Sequence, residues 1–168
     1  NGNLRLIGSQ KADKIAGFPS PRLFVDELDR CSLSSKNSAN VDEGNPIHLF
    51  LRRFTNWPNR FALFTSTPTI KGISQIEEWW QKSDQRYPHI PCIQCGHMQF
   101  LSWDRFTWKG KGEPNVEDDP STVKFQCASC DQHFNDLTRN QWLEKVKWVR
   151  TKPESKIAGF HEIGRAHV

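Results

Sequence analysis

The chain has 168 residues, with 23 Lys and Arg against 19 Asp and Glu for a formal net charge of +4, and its mean hydropathy is -0.70. That length holds one ordinary domain plus a small appendage, and with no apolar run near the ~20 residues that cross a bilayer, a membrane-spanning helical protein is excluded. The mixed, slightly basic charge permits nucleic-acid contact without indicating it.

From the amino end, Leu4 to Ile7 is a short strand candidate closed by Gly8 and Ser9, and a polar helix is expected over Gln10 to Ala16, broken by Gly17, Pro19 and Pro21. Leu23-Phe24-Val25 is a continuous apolar run, which predicts a strand buried on both faces, and Asp26, Glu27 and Asp29 follow it at once. Residues 31–45, rich in Ser, Asn and Gly, read as a mobile loop. Pro46 suits the first turn of a helix running to Phe54, with Leu49, Phe50 and Phe54 inward and Arg52 and Arg53 outward or toward a ligand. Arg60 to Phe64 predicts a second buried strand that runs into Thr65-Ser66-Thr67-Pro68-Thr69. Ser74-x-x-Glu77 is a capping-box pattern opening a helix to about Lys82, with Ile76, Trp79 and Trp80 inward. Further on, Gln99 to Trp103 and Phe106 to Trp108 suggest strands, joined to Val123-Lys124-Phe125 by a Gly-, Pro- and acid-rich loop at 109–121. Thr138-x-x-Gln141 repeats the capping pattern and predicts a helix with Trp142, Leu143 and Val146 inside. The seven tryptophans sit beside these patterns and read as packing residues rather than base-stacking plates.

Two cysteine pairs carry the sharpest chemical signal. Cys92-Ile-Gln-Cys95 and Cys127-Ala-Ser-Cys130 have the two-residue spacing that lets both thiolates of a pair reach one tetrahedral ion. Two such pairs fill every position of a zinc site and leave none for substrate, so the expected Zn2+ is structural, held by Cys92, Cys95, Cys127 and Cys130 in a zinc ribbon over residues 91–135. A redox dithiol or two disulfides are the competing readings; the unpaired fifth thiol, Cys31, fits a reducing compartment. His97 and His133 lie beside the pairs, but four thiolates already suffice.

Apolar strands separated by helical segments point to an α/β fold, a parallel sheet with helical crossovers whose ligand crevice lies at the carboxyl ends of the strands. Asp26-Glu27 and the Thr65 to Thr69 cluster both fall at that edge. A hydrophobic strand ending in Asp-Glu is the Walker B arrangement of P-loop NTPases, in which the Asp binds Mg2+ through water and the Glu orients or deprotonates the attacking water. The Thr65 to Thr69 cluster one strand later resembles the polar Ser/Thr motif that helicase-like ATPases carry there, placed to sense the γ-phosphate of ATP. No GxxxxGK[ST] stretch occurs in the 168 residues, so the phosphate-cradling loop is expected upstream of Asn1.

Read together, the motifs resemble the large terminase subunit of tailed phages, of the GpA type. The resemblance covers Leu4 to His161 and is carried by Ser66-Thr-Pro-Thr-Ile-Lys-Gly72, Ser83-Asp-Gln-Arg-Tyr87, Pro91-Cys-Ile-Gln-Cys-Gly-His97, Leu101-Ser-Trp103 and Gly159-Phe-His161, with Leu6-Ile-Gly-Ser9 before the acids. It implies a partial P-loop NTPase core over residues 1–90, the ribbon inserted at 91–135, and a helix and return segment at 136–161 leading to a nuclease domain downstream. By position, Glu27 is the implied catalytic glutamate, Asp26 the Mg2+-associated acid, and Ser66 and Thr67 belong to the coupling motif. Lys71, Arg52 and Arg53 are basic candidates for DNA or nucleotide contact, with a solvated surface role as the alternative for each. Residues 31–45 do not align with the family pattern. The implied activity is ATP-driven translocation of double-stranded DNA into a capsid, by a homo-oligomer working with a terminase small subunit and the capsid portal, in the host bacterial cytoplasm and docked transiently on the procapsid.

The last seven residues, Glu162 to Val168, match a sequencing-library adaptor translated in frame, so the natural gene is expected to continue past His161 and the isolated piece to hydrolyse ATP negligibly. Two other readings stand beside the motor: a superfamily-2 helicase-like ATPase, and a non-enzymatic zinc-ribbon protein that binds nucleic acid through Arg105, Lys109, Lys111 and Lys124.

Overall fold

A computed structural model describes residues 4–10, 14, 17, 19–54, 56–135, 138, 141 and 143–162, the side chain of Arg53 excepted. The chain divides into two compact units, Asn1–Trp79 and Trp80–Val168.

In the first unit the order is β1 (Arg22–Val25), a 3-10 turn (Leu28–Arg30), β2 (Ser35–Lys36), β3 (Asp42–Gly44), α1 (Pro46–Arg53), β4 (Phe61–Phe64) and the start of α2 (Gln75–Lys82). β1 and β4 are parallel, with Arg22 opposite Phe61 and Val25 opposite Phe64. α1 lies in the connection between them, as a parallel crossover requires. The expectation that both strands are buried on both faces is corrected. Arg22, Phe24, Phe61 and Leu63 share one face, and Phe24 is 61% exposed. Only the opposite face, with Leu23, Val25 and Phe64, is half-covered, and Phe64 meets the Trp79 ring at 5.0 Å. The physical reason is strand number: among the described residues this sheet has two strands, too few to be sandwiched by helices on both sides. The buried hydrophobics of this unit among the described residues are Leu28, which is fully buried, Ile47 and Phe54.

Leu4 to Ile7 forms no strand, since it has no ladder partner among the described residues, and Leu4 and Leu6 are exposed. The helix expected over Gln10 to Ala16 falls largely outside the described residues. The loop expected at 31–45 is instead a small antiparallel ribbon, β2 on β3, with Ser35 opposite Gly44. Its turn is built by Asn37, whose side-chain oxygen accepts from the backbone N–H of Ala39 and of Val41, both at 3.0 Å, and by Asn40 at φ 64°. The Asn- and Ser-rich composition thus encodes a turn rather than freedom.

α1 begins as its sequence requires. The Asn45 side chain accepts from Ile47 N–H at 2.8 Å, and Pro46 occupies the first helical position. Ile47 and Phe54 are buried, whereas Leu49 and Phe50 are half-buried. α2 opens with half of the expected capping box. Ser74 Oγ accepts from Glu77 N–H at 3.1 Å, but the Glu77 carboxylate turns to Gly72 N–H, also at 3.1 Å.

The second unit contains β5 (Arg86–Pro91), β6 (Met98–Phe100), a 3-10 turn (Trp103–Arg105), β7 (Phe106–Lys109), β8 (Asp119–Gln126), β9 (His133–Asn135) and β10 (Lys147–Arg150). These make two antiparallel three-stranded sheets, ordered β10-β5-β6 and β7-β8-β9. Their shared core is Ile90, Leu101, Phe106 and Phe125, with Trp108, Val123, Phe134 and Val146 packed against it. The helix expected from Thr138 lies largely outside the described residues, as does Trp142. β10, which the sequence did not signal, pairs with β5.

The Ser83–Arg86 segment is the clasp of this unit. Ser83 and Asp84 are 1% and 2% exposed, and the backbone of 84–86 takes hydrogen bonds from or to Thr151, Lys152, Ile157, Gly159 and His161. The Asp84 carboxylate accepts from Gly159 N–H at 3.1 Å and pairs with Arg86 at 2.8 Å. A Cβ on Gly159 would run into the Ser83 side chain, so glycine is required there by space. His161 then packs, tilted, beside Trp80 and Tyr87, with ring centroids 5.6 and 5.3 Å away.

Candidate metal centre and strand-end site

The four paired cysteines come together. Their sulfur atoms all lie within 4.8 Å of one another, with Cys92 to Cys130 at 3.7 Å and Cys95 to Cys127 at 3.8 Å. A tetrahedron with metal–sulfur bonds of about 2.3 Å has sulfur–sulfur edges of about 3.8 Å, whereas a disulfide would need about 2.05 Å. The site therefore fits a tetrahedral thiolate ion and does not fit oxidised pairs.

Two matched turns build it. In the first, Cys92 N–H donates to His97 O and Gly96 N–H returns to Cys92 O, both at 2.8 Å; in the second, Cys127 N–H donates to Gln132 O at 2.9 Å and Asp131 N–H to Cys127 O at 3.2 Å. The residue after each second cysteine is left-handed, Gly96 at φ 72° and Asp131 at φ 55°. Gln99 braces the turns by accepting from Ala128 N–H at 2.8 Å.

The thiols alone are electrostatically unbalanced. Burial opposes ionisation of Cys127, but the N–H groups of Cys130 and Ser129 and the neighbouring thiols draw it down to about 6. Cys130 gains an N–H from Gln132, yet burial and the three facing sulfurs push it up to about 12. Burial likewise raises Cys92. Four thiolates this close need a cation to coexist, and Zn2+ would supply that charge and the tetrahedral preference together. Neither His97 nor His133 joins the cluster among the described residues. Cys31 is a half-buried loop thiol whose N–H donates to Leu28 O at 3.0 Å.

The second polar concentration sits where β1 and β4 end. The ladder continues past both strands, with Thr65 N–H to Val25 O at 2.9 Å and Leu28 N–H back to Thr65 O at 3.0 Å. This sets the Thr65 hydroxyl against the Asp26 carboxylate at 2.6 Å. That hydroxyl, with the Glu27 N–H, holds Asp26 below the usual carboxylate range despite slight desolvation. Glu27 follows in the left-handed region at φ 50°, ψ 50°, an uncommon backbone for a side-chain-bearing residue. Its 3.4 Å pair with Arg30 is exposed on both sides and contributes little.

Of the other residues singled out, Ser66 accepts from Asp29 N–H at 3.1 Å, while Thr67, Lys71 and Arg52 are exposed. The Arg53 side chain lies outside the described ones. Two participants were not assigned roles from sequence. Thr65 is the hydroxyl that meets Asp26. Asp29 accepts from Thr69 N–H and Oγ1 at 2.9 Å each and from Ile76 N–H at 2.8 Å. Burial tends to raise the Asp29 carboxyl, and the Ser74, Ile76 and Thr69 donors more than reverse it. The signal for both was present in the runs Asp26-Glu-Leu-Asp29 and Thr65 to Thr69, but which acid meets which hydroxyl depends on strand register.

The family model for the phage terminase large subunit gpA ATPase domain matches residues 1–148. No curated protein and no solved structure matches the chain.

Proposed function

Because this chain belongs to the phage terminase large subunit family of the gpA type, and so to a phage DNA-packaging motor, we propose that its first unit is part of a P-loop ATPase core that couples ATP hydrolysis to translocation of double-stranded DNA into the capsid. The observation that supports this most is the meeting of the two strand ends, Asp26 with Thr65 at 2.6 Å. An acid kept ionised at the carboxyl edge of a parallel strand pair suits a hard divalent cation. Asp26 would hold Mg2+, with ATP as the source of the phosphoryl group. The Glu27 carboxylate, exposed and held only by its surface pair with Arg30, would accept a proton from the attacking water. Ser66 and Thr67 follow Thr65 on the same loop, so a change at the nucleotide reaches the Asp29 contacts and the start of α2.

In this proposal residues 1–90 belong to the ATPase core, 91–135 are a ribbon insertion with structural Zn2+, and 136–161 lead toward a nuclease domain. The phosphate-binding loop is contributed from outside the 168 residues, so the isolated chain binds ATP poorly. Double-stranded DNA, a small subunit, the capsid portal and further copies of the large subunit are the partners, met in the host cytoplasm at the procapsid.

The test is Glu27→Gln in the complete terminase subunit. DNA-stimulated ATPase falls by at least about a hundredfold, the scale of removing a general base, with zinc content unchanged. Activity within about threefold of the unsubstituted protein would refute the assignment of Glu27.

A further inference from the structure

The β7-β8-β9 sheet has two unlike faces. Phe106, Val123, Phe125 and Phe134 point into the core, and the alternation of the strands leaves Thr107, Lys124, Gln126, His133 and Asn135 on the other side. On that outer side a shallow concavity of about 440 Å³ is lined by Thr107, Trp108, Lys109, Thr122, Lys124 and His133. None of the six is acidic. A register shift between Thr107 and Lys109 brings Lys109 and Trp108 into the same hollow.

We propose that this concavity binds the phosphodiester backbone of double-stranded DNA, with Lys109 and Lys124 as the charged contacts and the His133 ring beside them; the choice of DNA as the polyanion rests on the motor reading above. The surrounding groups separate these two lysines from the others. Lys111 is committed elsewhere, its ammonium 4.8 Å from the Trp108 ring centre and bonded to the Phe106 carbonyl. Arg105 faces Asp131 at 3.8 Å. The nearby acids are also engaged: Asp118 accepts from the Trp108 indole N–H at 2.7 Å, and Asp119 accepts from the Ser121 hydroxyl at 2.6 Å. Asp119 stands opposite Lys109 in the register and offsets part of its charge. Lys124 forms no ion pair among the described residues. The Thr122 hydroxyl serves the frame, accepting from Lys109 N–H and donating to Asp119 O. What remains open is a pair of ammonium groups on the outer face of the sheet. Point charges of this kind suit phosphates read without regard to sequence.

The experiment uses the zinc-loaded 168-residue chain and a fluorescein-labelled duplex of about 20 base pairs, titrated by anisotropy from 50 to 200 mM salt. The unsubstituted chain binds with a steep salt dependence. K109A/K124A weakens binding about tenfold at low salt and flattens the log–log salt slope by about 1.8, which is about 0.9 for each phosphate no longer neutralised. K109R/K124R restores both, and K36A/K156A, which removes equal charge elsewhere, changes neither. Failure of the unsubstituted chain to bind, binding by K109A/K124A within twofold of it, or displacement of the duplex by poly-glutamate at matched charge would each overturn the proposal. No ATP is needed for the titration. A negative result here leaves the ATPase assignment standing, and loss of the ATPase assignment leaves this measurement intact.

Discussion

At Glu27 the chain accepts a backbone conformation that costs a side-chain-bearing residue roughly 1 kcal/mol or more, directly after the acid that meets Thr65. Nothing in packing demands a carboxylate there, since the side chain is exposed. Replacement by glycine should therefore leave stability unchanged or raise it by up to about 1 kcal/mol, while Glu27→Gln leaves it where it was. Urea denaturation of the two variants separates these outcomes; a clear loss of stability in Glu27→Gly would show that the side chain has a structural role. The paired cysteine turns offer a second residue-scale comparison. Gly96 and Asp131 occupy the same left-handed position in the two turns, and a β-branched residue is the worst occupant of that region. Gly96→Val should cost about 1–2 kcal/mol, whereas Asp131→Gly should change stability by no more than about 1 kcal/mol, because relief of the backbone is offset by removal of the hydrogen bond from Gln126 at 3.2 Å. Thermal unfolding of the zinc-loaded chain measures both.

At the scale of elements, the legible parts were those fixed by local chemistry. Pro46 after Asn45 announced α1, Ser74 and Glu77 announced α2, and both were found where capping predicts them. The parallel pairing of β1 with β4 followed from apolar strands separated by a helix. The burial of those strands did not follow, because an apolar run states what a strand can cover and not how many neighbours it has. β10 stayed hidden for a related reason: Lys147-Trp-Val-Arg150 has no alternation that favours a strand, and all four residues are exposed. Its place is set by the Ser83–Arg86 clasp, a long-range contact. The clasp also explains why Ser83 to Arg86 and Gly159 to His161 stand out in the sequence as motifs, although neither carries a cysteine or a strand-end acid. Asp84 makes this testable. Burial raises its carboxyl, but Gly159 N–H, Arg86 and Arg150 together hold it below the ordinary value. A depressed carboxylate contributes stability fully above the unfolded value near 3.9 and loses that contribution as pH falls through the lower folded value. Asp84→Asn should thus cost about 2 kcal/mol at pH 7, and the gap from the unsubstituted chain should close on acidification toward pH 3. A gap independent of pH would mean that charge at Asp84 contributes nothing.

For the molecule as a whole, the two units differ in what holds them. Asn1–Trp79 is held by a strand pair, a crossover helix and the Asp29 hydrogen bonds. Among the described residues, the core cluster of Trp80–Val168 is Ile90, Leu101, Phe106 and Phe125, and two three-stranded sheets are ordered around it. Modules this small rarely stand on burial alone and need a staple. The cysteine cluster offers a place for one: Cys92 directly follows β5 and Cys127 directly follows β8, so an ion held by the four sulfurs would tie one sheet to the other. Removing the ion leaves four crowded thiols, of which Cys92 and Cys130 resist ionisation. A strong chelator should therefore abolish amide protection in β5 to β9 by hydrogen exchange, while amides of β1 and β4 change by less than about twofold. Cys127→Ser should reproduce the loss without chelator, and readdition of Zn2+ should rescue the chelated chain but not the variant. Protection in β7 and β8 that survives chelation would show that the apolar core suffices and that the ion is dispensable for folding.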